Sequence, residues 1–252
     1  MSGSARLEEE HVHRVYDSIA AHFSDTRHKP WPRVQRFLDS LPQNSFVVDI
    51  GCGNGKYLSP IGGHSRHVTI GCDRSAALLA ICGERGFETV SADILQTCHV
   101  FRAQLFDAAL CVAVLHHLSS RERRLRALQA IVDCVRVGGK IYVWALEQSR
   151  DGQNAKYLKK ERPEEEETKK EKRSVCVDGR VLGIHAQRTA FASQEVLVPF
   201  GSEEQLRYYH VFAEHELEEL AREVRNARVL DNYYENGNWV LMLERTINHA
   251  TV

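Results

Sequence analysis

The stretch Val47-Val48-Asp49-Ile50-Gly51-Cys52-Gly53-Asn54-Gly55-Lys56-Tyr57 runs an apolar strand straight into Asp-x-Gly-x-Gly-x-Gly. Glycine at every second position lets a chain turn tightly and approach a ligand where a Cβ would intrude, which points to an α/β sheet with a ligand at its strand ends. The surrounding text has the rhythm such a sheet requires. Short apolar runs at Phe46–Ile50, His67–Cys72, Glu88–Ala92, Phe106–Val114 and Lys140–Ala145 alternate with helical patterns at Ser75–Glu84 and Ser119–Val135. Gly86 closes the first helix and Gly138-Gly139 the second, whose start, Ser119 with Glu122 three residues on, predicts a capping box. Five strands joined by helices predict a parallel sheet covered on both faces.

Upstream, Leu7–Phe23 carries an apolar stripe at helical spacing, and Val34, Phe37, Leu38 and Leu41 form the apolar side of a second helix ended by Pro42. Downstream, Asn236-Gly237 between Arg228–Tyr234 and Asn238–Glu244 predicts an antiparallel hairpin. Between the two regions Ser149–Arg173 is almost free of apolar residues and reads as a solvated, charged insertion. The expected plan is one domain in three stretches: cap helices and ligand-binding core over 1–148, the insertion over 149–180, and the rest of the same domain over 181–252.

Composition matters where it excludes partners. The 33 Lys+Arg nearly cancel the 34 Asp+Glu, so a polyanion must be held by local patches and not by overall charge. Those patches are Arg121, Arg123, Arg124 and Arg126, Arg27-His28-Lys29 with Arg33 and Arg36, and Lys156 with Lys159 and Lys160. The seven cysteines are scattered singly with no Cys-x-x-Cys pair, the pattern of reduced core thiols in an intracellular protein, and no zinc or other metal site is expected. The polar, acidic Met1–Glu10 does not read as a signal peptide, and no apolar run approaches the ~20 residues that span a membrane.

The loop spacing is neither that of a P-loop nor the dinucleotide Gly-x-Gly-x-x-Gly. Asp49 at the strand end would repel a pyrophosphate and suits a cationic ligand such as S-adenosylmethionine. Asp73 ends the second strand about 20 residues past the loop, where a carboxylate accepts ribose hydroxyls. Asp93 ends the third, placed for an adenine amino group with Ile94 against the ring. Gly51, Gly53, Asn54, Gly55 and Arg74 complete the expected cofactor set.

The core Asp49–Trp144 resembles the class I S-adenosylmethionine-dependent methyltransferases. Longer strings are more specific: Arg14–Pro32, Asp49–Leu58, Gly71–Ser75, Val114–Leu118 with Arg121–Arg124, Tyr142–Gln148, Gln187–Phe191, Val196–Phe200 and Arg207–Phe212. These resemble the eukaryotic tRNA methyltransferases that esterify 5-carboxymethyluridine at the wobble position, in their stand-alone form, related to the methyltransferase domain of an AlkB-homologue fusion. Val137 departs from the proline usual in the family. The resemblance implies a Rossmann-like seven-stranded mostly parallel sheet, an amino-terminal helix capping the cofactor with Tyr16 and Phe23, tRNA as substrate, and a small zinc-containing activator subunit as heterodimer partner. The third strand, as a sheet edge, would suit strand addition by that subunit. Neither DNA nor a membrane is expected as a partner, and the cytoplasm, with the nucleus as a second compartment, is the expected location.

A carboxylate acceptor is already ionised near neutral pH, so the site needs groups to hold it more than it needs a base. Arg27, His28, His116 and Arg188 are the candidates. Trp31 and Trp144 read as core, Trp31 being the better stacking platform of the two. The alternatives are a small-molecule acceptor, or a scaffold that binds the cofactor without catalysis.

Overall fold

The computed structural model describes residues 3–26, 29–60, 62–146, 173–185, 191–235 and 237–247. The chain opens with α1 (Gly3–Glu8), which passes through a π-helical turn (Glu9–His13) into α2 (Arg14–Thr26). The apolar stripe predicts this helix but not its π-turn. After α3 (Pro32–Ser40), with proline at the first position where no N–H is needed, the βα alternation begins. It runs β1 (Phe46–Ile50), β2 (Val68–Asp73), α4 (Ala76–Glu84), β3 (Thr89–Ser91), α5 (Thr97–Val100), β4 (Phe106–Val112), α6 (Arg121–Cys134) and β5 (Val135–Leu146). The strands β6 (Ser174–Val177), β7 (Arg180–Ile184), β8 (Glu195–Phe200) and β9 (Ser202–His210) follow, then α7 (Glu216–Arg222) and the hairpin β10 (Ala227–Glu235) and β11 (Asn238–Arg245).

The main sheet has seven strands in the order β10-β11-β5-β4-β1-β2-β3. Strands β5 to β3 are parallel, and β11 and β10 add antiparallel, with Glu235 opposite Asn238 across the expected two-residue turn. Successive residues of a strand face opposite sides, so Val47 and Val48 enter different layers. Val48, Ile50 and Phe106 meet Leu128 and Ile131 of α6, while Val47, Leu110 and Tyr142 meet Val34, Phe37 and Leu38 of α3. Strand β3 is an edge, as expected. No helix among the described residues is long and apolar enough to cross a membrane.

Two expectations are corrected. The N-cap of α6 is Ser120, whose Oγ accepts from the Arg123 N–H at 3.3 Å, and not Ser119. Ser119 is turned instead toward Glu8, which accepts from its N–H at 2.7 Å and its Oγ at 2.9 Å. The charged insertion also ends earlier than residue 180, because Ser174–Val177 pairs with Arg180–Ile184. These two strands join β8 and β9 in a second, four-stranded sheet, whose Val177, Leu182, Leu197 and Tyr208 bury Leu7 and Val12 of the amino-terminal helices. Strands of four and five residues beside a highly charged run give too little periodicity to be read ahead.

Candidate active site

At the carboxyl ends of the parallel strands lies a cavity of about 430 Å³, within the ~300–1,000 Å³ usual for small-molecule sites. The glycine loop forms its floor. Gly51 has φ +77°, and a Cβ there would stand 2.2 Å from the Val114 side chain. Gly55 has φ +80° and meets Phe87 and Cys82, so this glycine fits the loop to α4 and lies outside the cavity wall. Gly51, Gly53 and Asn54 do line the cavity.

The three strand-end carboxylates are held differently. Asp49 is buried behind the floor, outside the wall, and neither of its oxygens has a partner among the described residues. Burial, with the Asp73 carboxylate adding to it and Lys56 opposing it, pushes the Asp49 carboxyl up to about 7. Asp73 lines the cavity and accepts from the N–H groups of Gly53 at 2.8 Å and Ser75 at 2.9 Å, which fixes the turn after β2. Asp93 caps the turn Ile94–Gln96 through the Leu95 N–H and receives Arg74 at 2.9 Å. Arg74 also reaches Glu9 at 2.9 Å, so it ties the π-turn to the end of β3 across the cavity rim.

The amino-terminal helix closes one side with Tyr16 and Phe23, whose rings meet edge to face at 5.5 Å. Asp17 accepts from the Ser75 hydroxyl at 2.5 Å and anchors α2 to α4. A buried, unpaired carboxylate beneath a glycine floor, with carboxylates at two further strand ends, fits a cationic nucleoside. S-adenosylmethionine has that chemistry, and Asp49, Asp73 and Asp93 with Ile94 are the residues that would hold it.

The other half of the cavity is aromatic and basic. Trp31 and Trp144 lie with ring centroids 4.1 Å apart, both in the wall and not sealed in the core, and the Lys56 ammonium stands 4.5 Å over the Trp31 ring. His116 is in the wall and its Nδ1 accepts the Leu146 N–H at 3.2 Å. Burial, reinforced by His117, Arg207 and His210, holds it well below the usual histidine range, so it is neutral. His117 donates from Nδ1 to the Tyr208 carbonyl at 3.0 Å, which leaves Nε2 to accept the Tyr16 hydroxyl at 2.9 Å.

Of the residues expected to hold the acceptor, His116 reaches the cavity, while Arg27, His28 and Arg188 lie outside the described residues. Arg207 and Tyr209, adjacent to one another on the cavity side of β9, were not among the expected site residues. Their alternation with the apolar Leu206 and Tyr208 is the sequence signal that could have found them. Of the four arginines expected as a patch on α6, Arg126 is exposed and the other three are engaged within the chain. Arg121 pairs with Glu223, Arg123 with Glu8, and Arg124 with the Leu118 carbonyl at 2.8 Å. Lys156, Lys159 and Lys160 lie outside the described residues.

A family model described as a methyltransferase domain matches residues 48–143. Over 96% of its length the chain is 42% identical to the tRNA (carboxymethyluridine(34)-5-O)-methyltransferase alkbh8 of Xenopus tropicalis, but it covers only 42% of that protein. The chain thus spans less than half the length of this curated relative. The tRNA (carboxymethyluridine(34)-5-O)-methyltransferase of Schizosaccharomyces pombe is 39% identical over 94% of this chain and 97% of its own length. Among solved structures, a chain from the complex between the Haloferax volcanii Trm112 methyltransferase activator and the putative methyltransferase has the same fold, with a TM-score of 0.58 at 13% identity over 92% of this chain and 98% of that one. A cavity with acidic strand ends on one side and a basic, aromatic wall on the other therefore belongs to a chain that aligns with almost the whole of a yeast enzyme, and the chain is a member of the tRNA (carboxymethyluridine(34)-5-O)-methyltransferase family.

Proposed function

We propose that the chain methylates the carboxylate of 5-carboxymethyluridine at the wobble position of tRNA, giving the methyl ester, with S-adenosylmethionine as the methyl donor. The alignment with the fission-yeast enzyme over 97% of that protein's length carries this reading. Bound at the acidic strand ends, S-adenosylmethionine supplies an electrophilic methyl on a sulfonium. The chain's own work is to orient the acceptor and exclude water. His116 suits that role: it is neutral, held by the Leu146 N–H, and able to orient the acceptor without adding charge. No general base is needed for an acceptor already ionised near pH 7. Trp31 and Trp144 offer the uracil ring a flat apolar wall.

The reading extends to a small zinc-containing activator subunit. The Haloferax structure with its Trm112 activator supports this, as does the edge strand β3, whose open side suits strand addition. Free cysteines throughout the described core are in keeping with a reducing compartment, the cytoplasm with the nucleus as a second site. The test is transfer of labelled methyl to tRNA carrying carboxymethyluridine, with and without the activator subunit. Alkali-labile label on the wobble nucleotide is expected, and its absence under both conditions overturns the reading.

A further inference from the structure

Arg207 is only 7% exposed, yet among the described residues no carboxylate accounts for it. Its Nε–H is buried without a partner among the described residues. The guanidinium is sandwiched near the Phe200 ring at 4.9 Å and the Tyr209 ring at 5.1 Å, contacts that offset part of the cost of burying a cation but satisfy no N–H. Its polar neighbour is the Tyr16 hydroxyl. That hydroxyl donates its own proton to His117 Nε2, so toward the arginine it can only accept. Tyr16, His117 and Arg207 all line the cavity.

The other cations of the wall differ from Arg207. Arg74 is neutralised by Glu9 and Asp93, and Lys56 is spread over the Trp31 ring. A guanidinium in a cavity wall, with one N–H buried and unsatisfied and no carboxylate against it among the described residues, calls for an anion from outside the chain. We propose that Arg207 binds the carboxylate of the acceptor nucleotide and makes the enzyme select the ionised acid over its amide and its methyl ester. The inference rests on the esterification reading above and names the residue that sets its acceptor class. A single N–H contact leaves the second carboxylate oxygen free to react. Esterification removes the negative charge, so the residue that captures the substrate holds the product more weakly and favours its release.

The test is competition by tRNAs identical except at the wobble base, carrying carboxymethyluridine, carbamoylmethyluridine or the methyl ester. They are assayed with the full chain under the conditions in which it forms ester. The wild type is expected to prefer the acid over the amide and the ester by on the order of tenfold to a hundredfold, the range of one hydrogen bond to a charged group. Arg207→Gln is expected to raise KM for the acid and abolish the preference, with S-adenosylmethionine affinity by calorimetry unchanged. Arg207→Lys, which keeps the charge, is expected to retain part of it and decides the matter if the glutamine variant does not fold. Equal competition by all three tRNAs in the wild type overturns the proposal. So does a preference that survives in Arg207→Gln, or a loss in both variants that follows a loss of cofactor affinity, which is the mark of a structural role. If the wild type forms no ester at all, the esterification reading fails, and that outcome is distinct from any of these.

Discussion

At Asp49 a single carboxylate carries an unusual electrostatic load. It is buried, has no hydrogen-bond partner among the described residues, and is pushed up to about 7 by burial and by Asp73. A cation bound above the floor favours the ionised form, so below about pH 7 binding must expel a proton. S-adenosylmethionine affinity is therefore expected to weaken as the pH falls from 8 to 6, by up to about tenfold per unit below 7, and to level off above it. Calorimetry in buffers of different ionisation enthalpy should show proton release at pH 6.5 and almost none at pH 8. Asp49→Asn should bind more weakly at pH 8 and lose the pH dependence. A dependence that persists in the variant would assign the proton to another group, His13 being the nearest alternative in the wall.

At the scale of elements, the cap over the cavity is held by one buried glutamate. Glu8, 1% exposed at the end of α1, accepts from the Ser119 N–H and hydroxyl and from Arg123, whose Nε lies 2.7 Å away. Removing it strands a buried N–H and a largely buried guanidinium together, which costs about 3–5 kcal/mol where an ion pair is fully buried and about 3 kcal/mol with the partial exposure of Arg123. Urea denaturation of Glu8→Ala should show a loss of that size, and cofactor affinity should fall with it because Tyr16 and Phe23 ride on the same helix. A loss under 1 kcal/mol would show that the helix is held by the apolar contacts of Leu7 and Val12 with its other anchors at Glu9 and Asp17. Little of this was legible beforehand. Apolar periodicity located the parallel strands, α2, α3 and the Asn-Gly hairpin, because in these elements one face decides the structure. It is silent on polar anchors such as Glu8, whose partners lie more than 100 residues away, and on whether the arginines of α6 face solvent or acids. The acidic side of the cavity was readable since its carboxylates sit at fixed offsets from strand ends, and His116 with it. Arg207 and Tyr209 on the basic wall were not, because they come from a second sheet that only long-range packing creates.

At His210 the second sheet meets α7, and the whole molecule inherits a pH dependence from that seam and from the cavity. His210 at the end of β9 is clamped between Glu195 on β8 at 2.7 Å and Glu216 on α7 at 2.6 Å. Burial opposes its charge, but the two carboxylates raise it above the usual histidine range, and His210 in turn holds Glu216 low. A histidine raised in the folded state stabilises below its unfolded value, about 6.5, and that stabilisation is lost as pH rises through the higher folded value. Asp49, raised to about 7, acts in the same sense: the folded state binds its proton before the unfolded state does, so stability rises as pH falls through 7. His116, His117, His13 and His185 act oppositely, all lowered chiefly by burial. The unfolded chain takes up those four protons near 6.5 while the folded chain refuses them, so stability falls as pH drops further. The opposing slopes cross near neutrality. Urea midpoints of the cofactor-free chain should pass through a maximum between about pH 6 and 7, declining on the alkaline side through Asp49 and His210 and on the acid side through the buried histidines. Asp49→Asn should flatten the alkaline limb and leave the acid limb in place, since the four histidines are untouched. Midpoints that climb steadily from pH 6.5 to 8.5 would contradict the assignment, because the carboxylate buried beneath the cavity floor would then carry no cost for its charge.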